Sequence, residues 1–284
     1  MLNRSYVTDD SYPTRLVEQF FEDKAYLISQ EFLLSSNDNN TLQWQTGLLL
    51  THDQVEHDKT TVGLDVPIAI TSLNLQSTRK SSSLGIFGQA DYQLLPKLTF
   101  IAGARYTYEH RTFVGRSIDV DPFAQGIGFF SELPIFVDDE INDDGISGKL
   151  GLNWQLDKDK LLYFTTSRGF KSGGWDGSVI IARTATQPFN EETVLAHELG
   201  VKTDWPNIGL RFNAALFYND YDNIQAEATV FDLGIPDNRI INAGASRIYG
   251  MEIDTVWYTP IDDLILELDL SLMDSKITEF APGN

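Results

Sequence analysis

The sequence predicts an all-β protein, a fragment of an antiparallel transmembrane β-barrel with about ten long strands in up-and-down (meander) order. Two observations predict this class. Apolar residues alternate with polar or small ones over runs of about ten residues, the length that a tilted strand needs to cross a bilayer. Short polar turns also alternate with long connections, as they do at the two ends of membrane barrels. We expect an open, strongly curved sheet with an apolar convex face and a polar concave face.

The strands follow from the alternating runs, taken in chain order. In the run 97–113 the even-numbered positions are mostly apolar, with Phe100 and Tyr106 as examples. In the run 263–278 leucines such as Leu268 alternate with polar residues. Residues 13–25 are predicted as either a short helix or an irregular lead-in. The predicted strands are 26–36, 41–55, 82–95, 97–113, 146–157, 160–171, 193–205, 208–224, 243–258 and 263–278.

Two kinds of connection join these strands. The short ones contain Pro, Asn, Asp or Lys, as hairpin turns do, and lie at 95–97, 157–160, 205–207 and 259–263. Loops longer than about twelve residues are uncommon in compact soluble domains, so we expect the long ones on the extracellular side of a membrane. These are 56–81, 114–144, 172–192 and 227–242. Aromatic residues near the short turns predict a membrane-interface girdle: Tyr92, Trp154, Trp205, Trp257 and Tyr258.

Composition excludes several classes. The chain has 41 acidic and 21 basic residues, which argues against a nucleic-acid partner because phosphate binding needs clustered Lys and Arg. It has no cysteine, and therefore neither disulfides nor thiolate metal sites. No window approaches eighteen consecutive apolar residues, so no membrane helix is predicted.

Signals of enzymatic chemistry are poor. The four histidines do not form an H-E-x-x-H motif, and no G-x-S-x-G motif is present. The acidic run 138–145 lacks EF-hand spacing, so we expect a solvated loop there rather than a calcium site. We therefore predict no enzyme, no catalytic residue, no metal site and no cofactor.

Several short motifs occur at strand positions, and in combination they resemble the barrels of TonB-dependent receptors, most of all the iron-complex receptors of Gram-negative bacteria. The motifs are R-G-F-K-S-G-G at 168–174, N-E-E-T at 190–193, E-L-G-V-K-T at 198–203, Y-G-M-E-I-D at 249–254, G-A-R-Y at 103–106 and Q-E-F at 30–32. The resemblance implies an outer-membrane location, contact with outer-membrane lipid, and uptake of an iron–siderophore or similar bulky complex energised through TonB.

Two groups of site residues follow. At the top of a strand and the start of a long loop, Arg and Trp would supply charge and a stacking face to an anionic ligand; the ligand-contact candidates are Arg168, Lys171, Trp175 and Asp176. A charge that faces lipid at mid-bilayer costs about 2–4 kcal/mol, so charged residues in the strands are expected to face the lumen in a structural role. These residues are Arg105, Glu198, Lys202, Glu252 and Asp254.

The resemblance also defines what is not found in the sequence. The resemblance implies a larger barrel that is filled by an N-terminal plug and preceded by a TonB-binding box. We find no signal peptide, plug, box or closing strand in residues 1–284, and we therefore expect an internal, partial barrel.

Two alternatives stay open. A complete ten-stranded outer-membrane barrel enzyme would need His and carboxylate side chains that converge at one rim. A soluble β-sandwich binding module would need strands of about five or six residues and short loops.

Overall fold

The computed structural model describes residues 2–9, 17–37, 41–63, 73–120, 133–176, 186–232 and 235–280. Within these residues the chain forms thirteen strands and one 3-10 turn at Pro206–Ile208. The strands are β1 (Leu2–Asp9), β2 (Val17–Ser35), β3 (Leu42–Gly63), β4 (Leu73–Leu95), β5 (Leu98–Asp119), β6 (Ile135–Asp157), β7 (Lys160–Lys171), β8 (Glu192–Trp205), β9 (Leu210–Asp222), β10 (Gln225–Asp232), β11 (Ile235–Asn242), β12 (Gly244–Tyr258) and β13 (Ile265–Phe280).

Eleven strands form one antiparallel sheet in the order β1 to β9, then β12 and β13. The remaining two, β10 and β11, form a separate antiparallel hairpin. Each strand of the large sheet pairs with its neighbour in sequence, except that β9 pairs with β12 across the hairpin. Strands β1 and β13 are each paired on one side only, so the sheet is open. The predicted fold class, an open meander of long antiparallel strands, is confirmed.

Register places apolar side chains in continuous rows across the sheet. Phe164 lies opposite Leu199, and Leu199 lies opposite Leu216. These three side chains are 42%, 45% and 56% exposed, so the row lies on the outer surface of the curve. The whole row is Leu42, Tyr92, Phe100, Leu152, Phe164, Leu199, Leu216, Met251 and Leu272. Because side chains alternate along each strand, the neighbouring polar rows share the opposite, concave face.

The strands are longer than the apolar rows. β4, β5 and β6 contain 23, 22 and 23 residues, whereas a strand needs about ten to cross a bilayer. On β5 the apolar series ends at Tyr108, and the next positions on that face are His110 and Thr112. The part of β5 beyond Tyr108 therefore extends above the apolar band.

The predicted long connections 56–81, 114–144 and 227–242 are wrong in large part. β3 and β4 extend into the first, β5 and β6 into the second, and β10 and β11 fill most of the third. The extensions are stabilised by polar contacts between strands: the side-chain amides of Asn74 and Gln76 donate to Asp58 at 3.0 and 2.7 Å. β7 ends at Lys171 and β8 begins at Glu192, so the described residues of the predicted connection 172–192 lie between these two strands, apart from Glu192 itself; residues 177–185 lie outside the described part of the chain.

The prediction for residues 13–25 is also wrong where the structure describes them. Residues 17–25 belong to β2, which pairs with β1 on one side and β3 on the other. Pairing on both sides satisfies the backbone hydrogen bonds that a helix would otherwise supply. The four residues before Val17 lie outside the described part of the chain.

The short turns lie at the end of the sheet opposite to the strand extensions. The 3-10 turn at Pro206–Ile208 ends at Gly209, which has a positive φ of 67° that glycine adopts without strain. Beside it, the indole of Trp257 donates to the carbonyl of Ile208 at 2.9 Å. Trp154, Trp205 and the other residues of the predicted girdle are 39–59% exposed, in the amphipathic environment that suits them. In the described residues, no helix has the length and apolarity needed to span a bilayer.

The buried hydrophobic cluster lies at the end of the sheet opposite the short turns. It combines residues of β4, β5 and β6 with Leu133, which precedes β6, and Trp175 from the connection after β7. Its members are Leu73, Leu75, Phe113, Leu133, Ile135, Val137 and Trp175. In β4, β5 and β6 the side chains of this cluster alternate with exposed ones such as Val114 and Phe136, so they occupy the concave face.

Candidate functional site

The candidate site is the outer end of the concave face, where the segment Ser172–Asp176 turns inward from the end of β7. Trp175 is only 1% exposed. Its ring stacks on Phe113 of β5 with centroids 5.6 Å apart and an interplanar angle of 15°. A bridge between Gly174 and Phe189 joins this segment to the chain that returns toward β8. The segment Ser172–Asp176 is therefore packed against the sheet.

A charged pair on β5 holds the backbone of this segment. Arg111 lies 2.5 Å from Glu109, and the two side chains are 14% and 16% exposed. Arg111 also donates to the carbonyl of Gly173. Ser172 of the segment and Ser81 of β4 donate their hydroxyls to the Glu109 carboxylate at 3.0 and 2.6 Å. The carboxylate and guanidinium thus satisfy polar groups of β4 and of the inward segment.

The pKa of Glu109 reflects this environment, above the apolar band. Burial raises the pKa of the carboxyl, but hydrogen bonds from Arg111 and Ser81 and the charge of Arg111 outweigh it, so the pKa lies below its ordinary value. Glu109 is consequently ionised at neutral pH and acts as an acceptor only.

The hairpin β10–β11 contacts the same segment through amide side chains. The amide nitrogen of Gln225 donates to the carbonyls of Lys171, Ser172 and Asn190 at 3.2, 3.0 and 2.9 Å. The amide of Asn242 donates to the carbonyl of Asn190 at 3.0 Å. Because these bonds go to backbone carbonyls on both arms of the connection, they fix the hairpin beside it.

A cavity of about 440 Å³ lies between the sheet, the inward segment and the hairpin. This size is within the range of small-molecule sites, about 300–1,000 Å³. Its wall contains aromatic rings and charged groups: Tyr6, Phe21, Asp23, His57, Lys59, Leu75, Ser77, Arg79, Phe113, Trp175, Asp176, Phe189, Glu227, Asn238 and Ile240.

The structure separates the four ligand-contact candidates. Trp175 and Asp176 both line the cavity, and the Asp176 carboxylate accepts the backbone N–H of Ile240 at 3.0 Å. Arg168 lies opposite Gly148, on the convex side of β7, and donates to the carbonyl of Ile146 at 2.6 Å. Lys171 is exposed at the end of β7. Alternation along β7 explains the separation, since positions three apart lie on opposite faces.

The five residues predicted to face the lumen lie in rows of the concave face. Glu198 accepts the hydroxyl of Tyr163 at 2.6 Å, and the Lys202 ammonium lies 5.7 Å from the centroid of the same ring. The amide of Asn213 donates to Asp254 at 2.8 Å. Glu252 lines two further cavities with these residues, one of about 400 Å³.

Arg105, the fifth of these residues, lies on β5 of the same face. Its guanidinium donates to the Thr107 hydroxyl at 2.9 Å and lies 5.9 Å from the Phe87 ring centroid. All of these contacts stabilise the sheet, and they join neighbouring strands or alternate positions of one strand.

Sequence reasoning missed Phe113, Glu109, Arg111 and Gln225. Only Glu109 and Arg111 had a local signal, because opposite charges two positions apart on a strand share a face and can pair. Phe113 and Gln225 meet the inward segment from strands far along the sequence, and no spacing rule brings them together.

The acidic run 138–145 was expected as a solvated loop, and this expectation is wrong: the run lies inside β6. Alternation sends Asp139 and Asp143 to one face and Asp138 and Asp144 to the other, so the carboxylates do not converge. Across the described residues, no group of three His, Asp or Glu side chains could hold a metal ion. The histidines are divided in the same way, with His57 on the concave face and His52 and His110 on the convex face.

A family model described as TonB dependent receptor-like, beta-barrel, matches residues 2–279. Among curated proteins, the pesticin receptor of Yersinia pestis is 27% identical over 116 residues, which cover 41% of this chain and 16% of that receptor.

Two solved structures share the fold. The ferric yersiniabactin uptake receptor FyuA from Yersinia pestis has a TM-score of 0.77 at 17% identity, with 97% of this chain and 38% of that chain covered. The ferric-catecholate import receptor Fiu from K12 E. coli has a TM-score of 0.63 at 14% identity, with 99% and 44% covered. The chain thus spans less than half the length of each of these proteins.

Proposed function

Because the chain belongs to the TonB-dependent receptor β-barrel family, we propose that it forms part of the barrel through which a receptor imports an iron–siderophore or similar bulky complex. Barrels of this family lie in the outer membrane of Gram-negative bacteria. The observation that carries the proposal is the division of one sheet into an apolar convex face and a polar concave face with a cavity at its outer end. Such a division suits lipid on one side and a wet passage on the other.

In this proposal the outer ends of the strands and their connections capture the ligand. Trp175 and Asp176 are the contact candidates best supported by position, since both line the cavity. Arg168 and Lys171 would contact the ligand only at an earlier stage of entry, from outside the cavity. The charged residues of the concave face would have a structural role in the passage, in which they pair across strands or with a plug. These residues are Arg105, Glu198, Lys202, Glu252 and Asp254.

The remaining partners follow from the family. Transport against a gradient would be energised through TonB, which would contact a part of the receptor other than this barrel segment. The chain would carry out no chemical reaction and would bind neither a cofactor nor nucleic acid. The ferric-complex receptors FyuA and Fiu, which share the fold, support an iron chelate as the cargo.

An uptake experiment tests the proposal. The complete receptor that carries this chain is expressed in a Gram-negative strain lacking its own ferric-chelate receptors. Radioactive iron is then supplied as catecholate, hydroxamate or citrate complexes. We expect iron to accumulate from at least one complex in cells with TonB and not in matched cells without it. No accumulation from any complex, or equal accumulation without TonB, contradicts the proposal; maltose uptake is the control for cell integrity.

A further inference from the structure

We propose that the 440 Å³ cavity recognises a flat aromatic ring that carries anionic or acceptor oxygens, so that the cargo is an aryl-oxygen iron chelate rather than an aliphatic hydroxamate or carboxylate one. This inference rests on the proposed function and specifies its substrate class. It is carried by three features of the cavity wall in the described part of the chain: aromatic rings, buried donors without partners, and a guanidinium without an ion pair.

The first feature is a set of aromatic rings in the cavity wall. Tyr6 stacks on Phe21 with centroids 4.5 Å apart and an interplanar angle of 6°, and Arg4 and Lys59 cover the outer faces of this stack. Phe113 and Trp175 form a second stack that is almost fully buried. Tyr6, Phe21 and Phe189 are half-buried, so their ring edges are open to a planar ligand in the edge-to-face arrangement that aromatic rings favour, with centroids about 4.5–7 Å apart.

The second feature is a pair of buried polar atoms that have no hydrogen-bond partner among the residues that the structure describes. Trp175, at 1% exposure, leaves its indole Nε1 without an acceptor, and Ser77, at 5% exposure, leaves its hydroxyl unpaired. Both residues line the cavity. Buried donors in folded proteins are normally satisfied, and leaving one unpaired is costly. Oxygen acceptors on a bound ring would satisfy the indole N–H and the hydroxyl together.

The third feature is positive charge. Within the described residues Arg79, which lines the cavity, makes no hydrogen bond or ion pair. Lys59 lies 5.3 Å from the centroid of the Phe21 ring. A guanidinium is a planar, multiple donor suited to anionic oxygens.

The carboxylates of the wall are occupied or lie at its edge. The carboxylate of Asp23 is 2.7 Å from Nδ1 of His57. That of Asp176 accepts the Ile240 N–H. Glu227 is exposed on the hairpin. Of the two Lys and Arg side chains that line the cavity, Lys59 lies over the Phe21 ring, so Arg79 is the one placed to meet an anionic oxygen of a ligand.

Binding by the complete receptor, purified in detergent, tests the inference. The probes are the iron(III) complexes of 2,3-dihydroxybenzoate, acetohydroxamate and citrate, measured by calorimetry. We expect the aryl complex to bind at least about ten-fold more tightly than the other two, since a charge-assisted hydrogen bond alone changes affinity by about that factor and edge-to-face ring contacts add to it.

Three variants assign the effect to the cavity. Arg79→Gln should weaken the aryl complex about ten-fold or more, whereas Lys80→Gln, on the opposite face of the same strand, should leave it unchanged. Trp175→Phe keeps a ring against Phe113 and removes Nε1, and Ser77→Ala removes the hydroxyl; each should weaken binding about three- to ten-fold. Heat modifiability in gels checks that every variant folds.

The outcomes separate the two proposals. Tighter binding of hydroxamate or citrate, equal binding of all three, or an Arg79→Gln variant that behaves like Lys80→Gln overturns the aryl class and leaves iron-chelate import standing. Failure of every ferric complex to bind or to be taken up overturns the import function itself.

Discussion

Arg111 and Glu109, two positions apart on β5, form a largely buried ion pair on the concave face, with Nη2 and Oε2 2.5 Å apart. The same two side chains bind Ser172 and Gly173, so a single charged pair fixes the inward segment that places Trp175. The position of Trp175 in the cavity wall therefore depends on the ion pair between Arg111 and Glu109.

Arg111→Met should release the inward segment. The substitution leaves the Glu109 carboxylate poorly compensated, and breaking a buried pair costs about 3–5 kcal/mol. We expect hydrogen exchange of the amides at 173–176 to accelerate by roughly two orders of magnitude, about 3 kcal/mol. Arg116→Gln is the control, since Arg116 lies on the other face of β5 and donates to Gln76 at 2.8 Å. Equal exchange in the two variants would refute the role of the pair.

The same pair gives a pH dependence of known sign. The pKa of Glu109 is lowered in the folded state from an ordinary value of 4.5, so its contribution to stability is full above 4.5 and is lost as pH falls through the lower, folded pKa. Exchange at 173–176, corrected for intrinsic rates, should be constant from pH 7 to about 5 and should rise below about 4.5. In Glu109→Gln this rise should be absent. An increase in the exchange rate centred between pH 5 and 7 would show that a titratable group other than Glu109 controls the opening of this segment.

Gly200→Ala should destabilise the barrel at the β7–β8 pair. A Cβ at this position would meet the ring of Tyr163, which lies over the glycine and donates to Glu198. Overpacking of this kind costs about 1–3 kcal/mol, and it would displace the hydroxyl from the carboxylate. Gly169→Ala is the matched control on the same strand pair, because its nearest neighbour is Val194 at 3.5 Å. Urea unfolding of the complete receptor should show a lower midpoint for the first variant alone.

Leu199→Arg tests the assignment of faces. Leu199 lies in the middle of an exposed apolar row, so an arginine there would face lipid and cost about 2–4 kcal/mol. Thr165→Arg at nearly the same depth lies opposite Glu198 on the concave face, and it should cost less than about 1 kcal/mol. Folding yields into lipid vesicles measure the difference. A lower folding yield for Thr165→Arg than for Leu199→Arg would show that the lipid-facing and lumen-facing sides are assigned the wrong way round.

The sequence predicted faces correctly wherever one of them is apolar. Around Leu199 and Phe100 the alternation of apolar and polar residues has a period of two, which fixes both strand and face. In 138–145 carboxylates occupy both faces, so no apolar period remains and the strand was taken for a loop. The adjacent Phe20 and Phe21 similarly obscured the period at the start of β2. In such segments backbone pairing with neighbours decides the structure, and single-sequence patterns do not contain it.

The site was predicted less well because its contacts span distant parts of the chain. Trp175 was singled out for its position after a strand, and it does line the cavity. Its stacking partner Phe113, the donor Ser77 and the cation Arg79 come from two other strands, and only the register of the sheet brings them together. Arg168 was grouped with Trp175 by proximity in sequence, whereas alternation places it on the other face.

The hairpin β10–β11 is joined to the sheet at a base closed by two backbone hydrogen bonds, between Ile224 and Gly244 at 2.8 Å and between Ala243 and Ile224 at 2.7 Å. Neither bond depends on side chains within 225–242, and loop-closure entropy changes by only about 0.6 kcal/mol when a loop doubles in length. The pairing of β9 with β12 therefore does not depend on the sequence or length of the hairpin. A hairpin of different length or sequence, grafted at this base, should therefore leave the pairing of β9 with β12 unchanged.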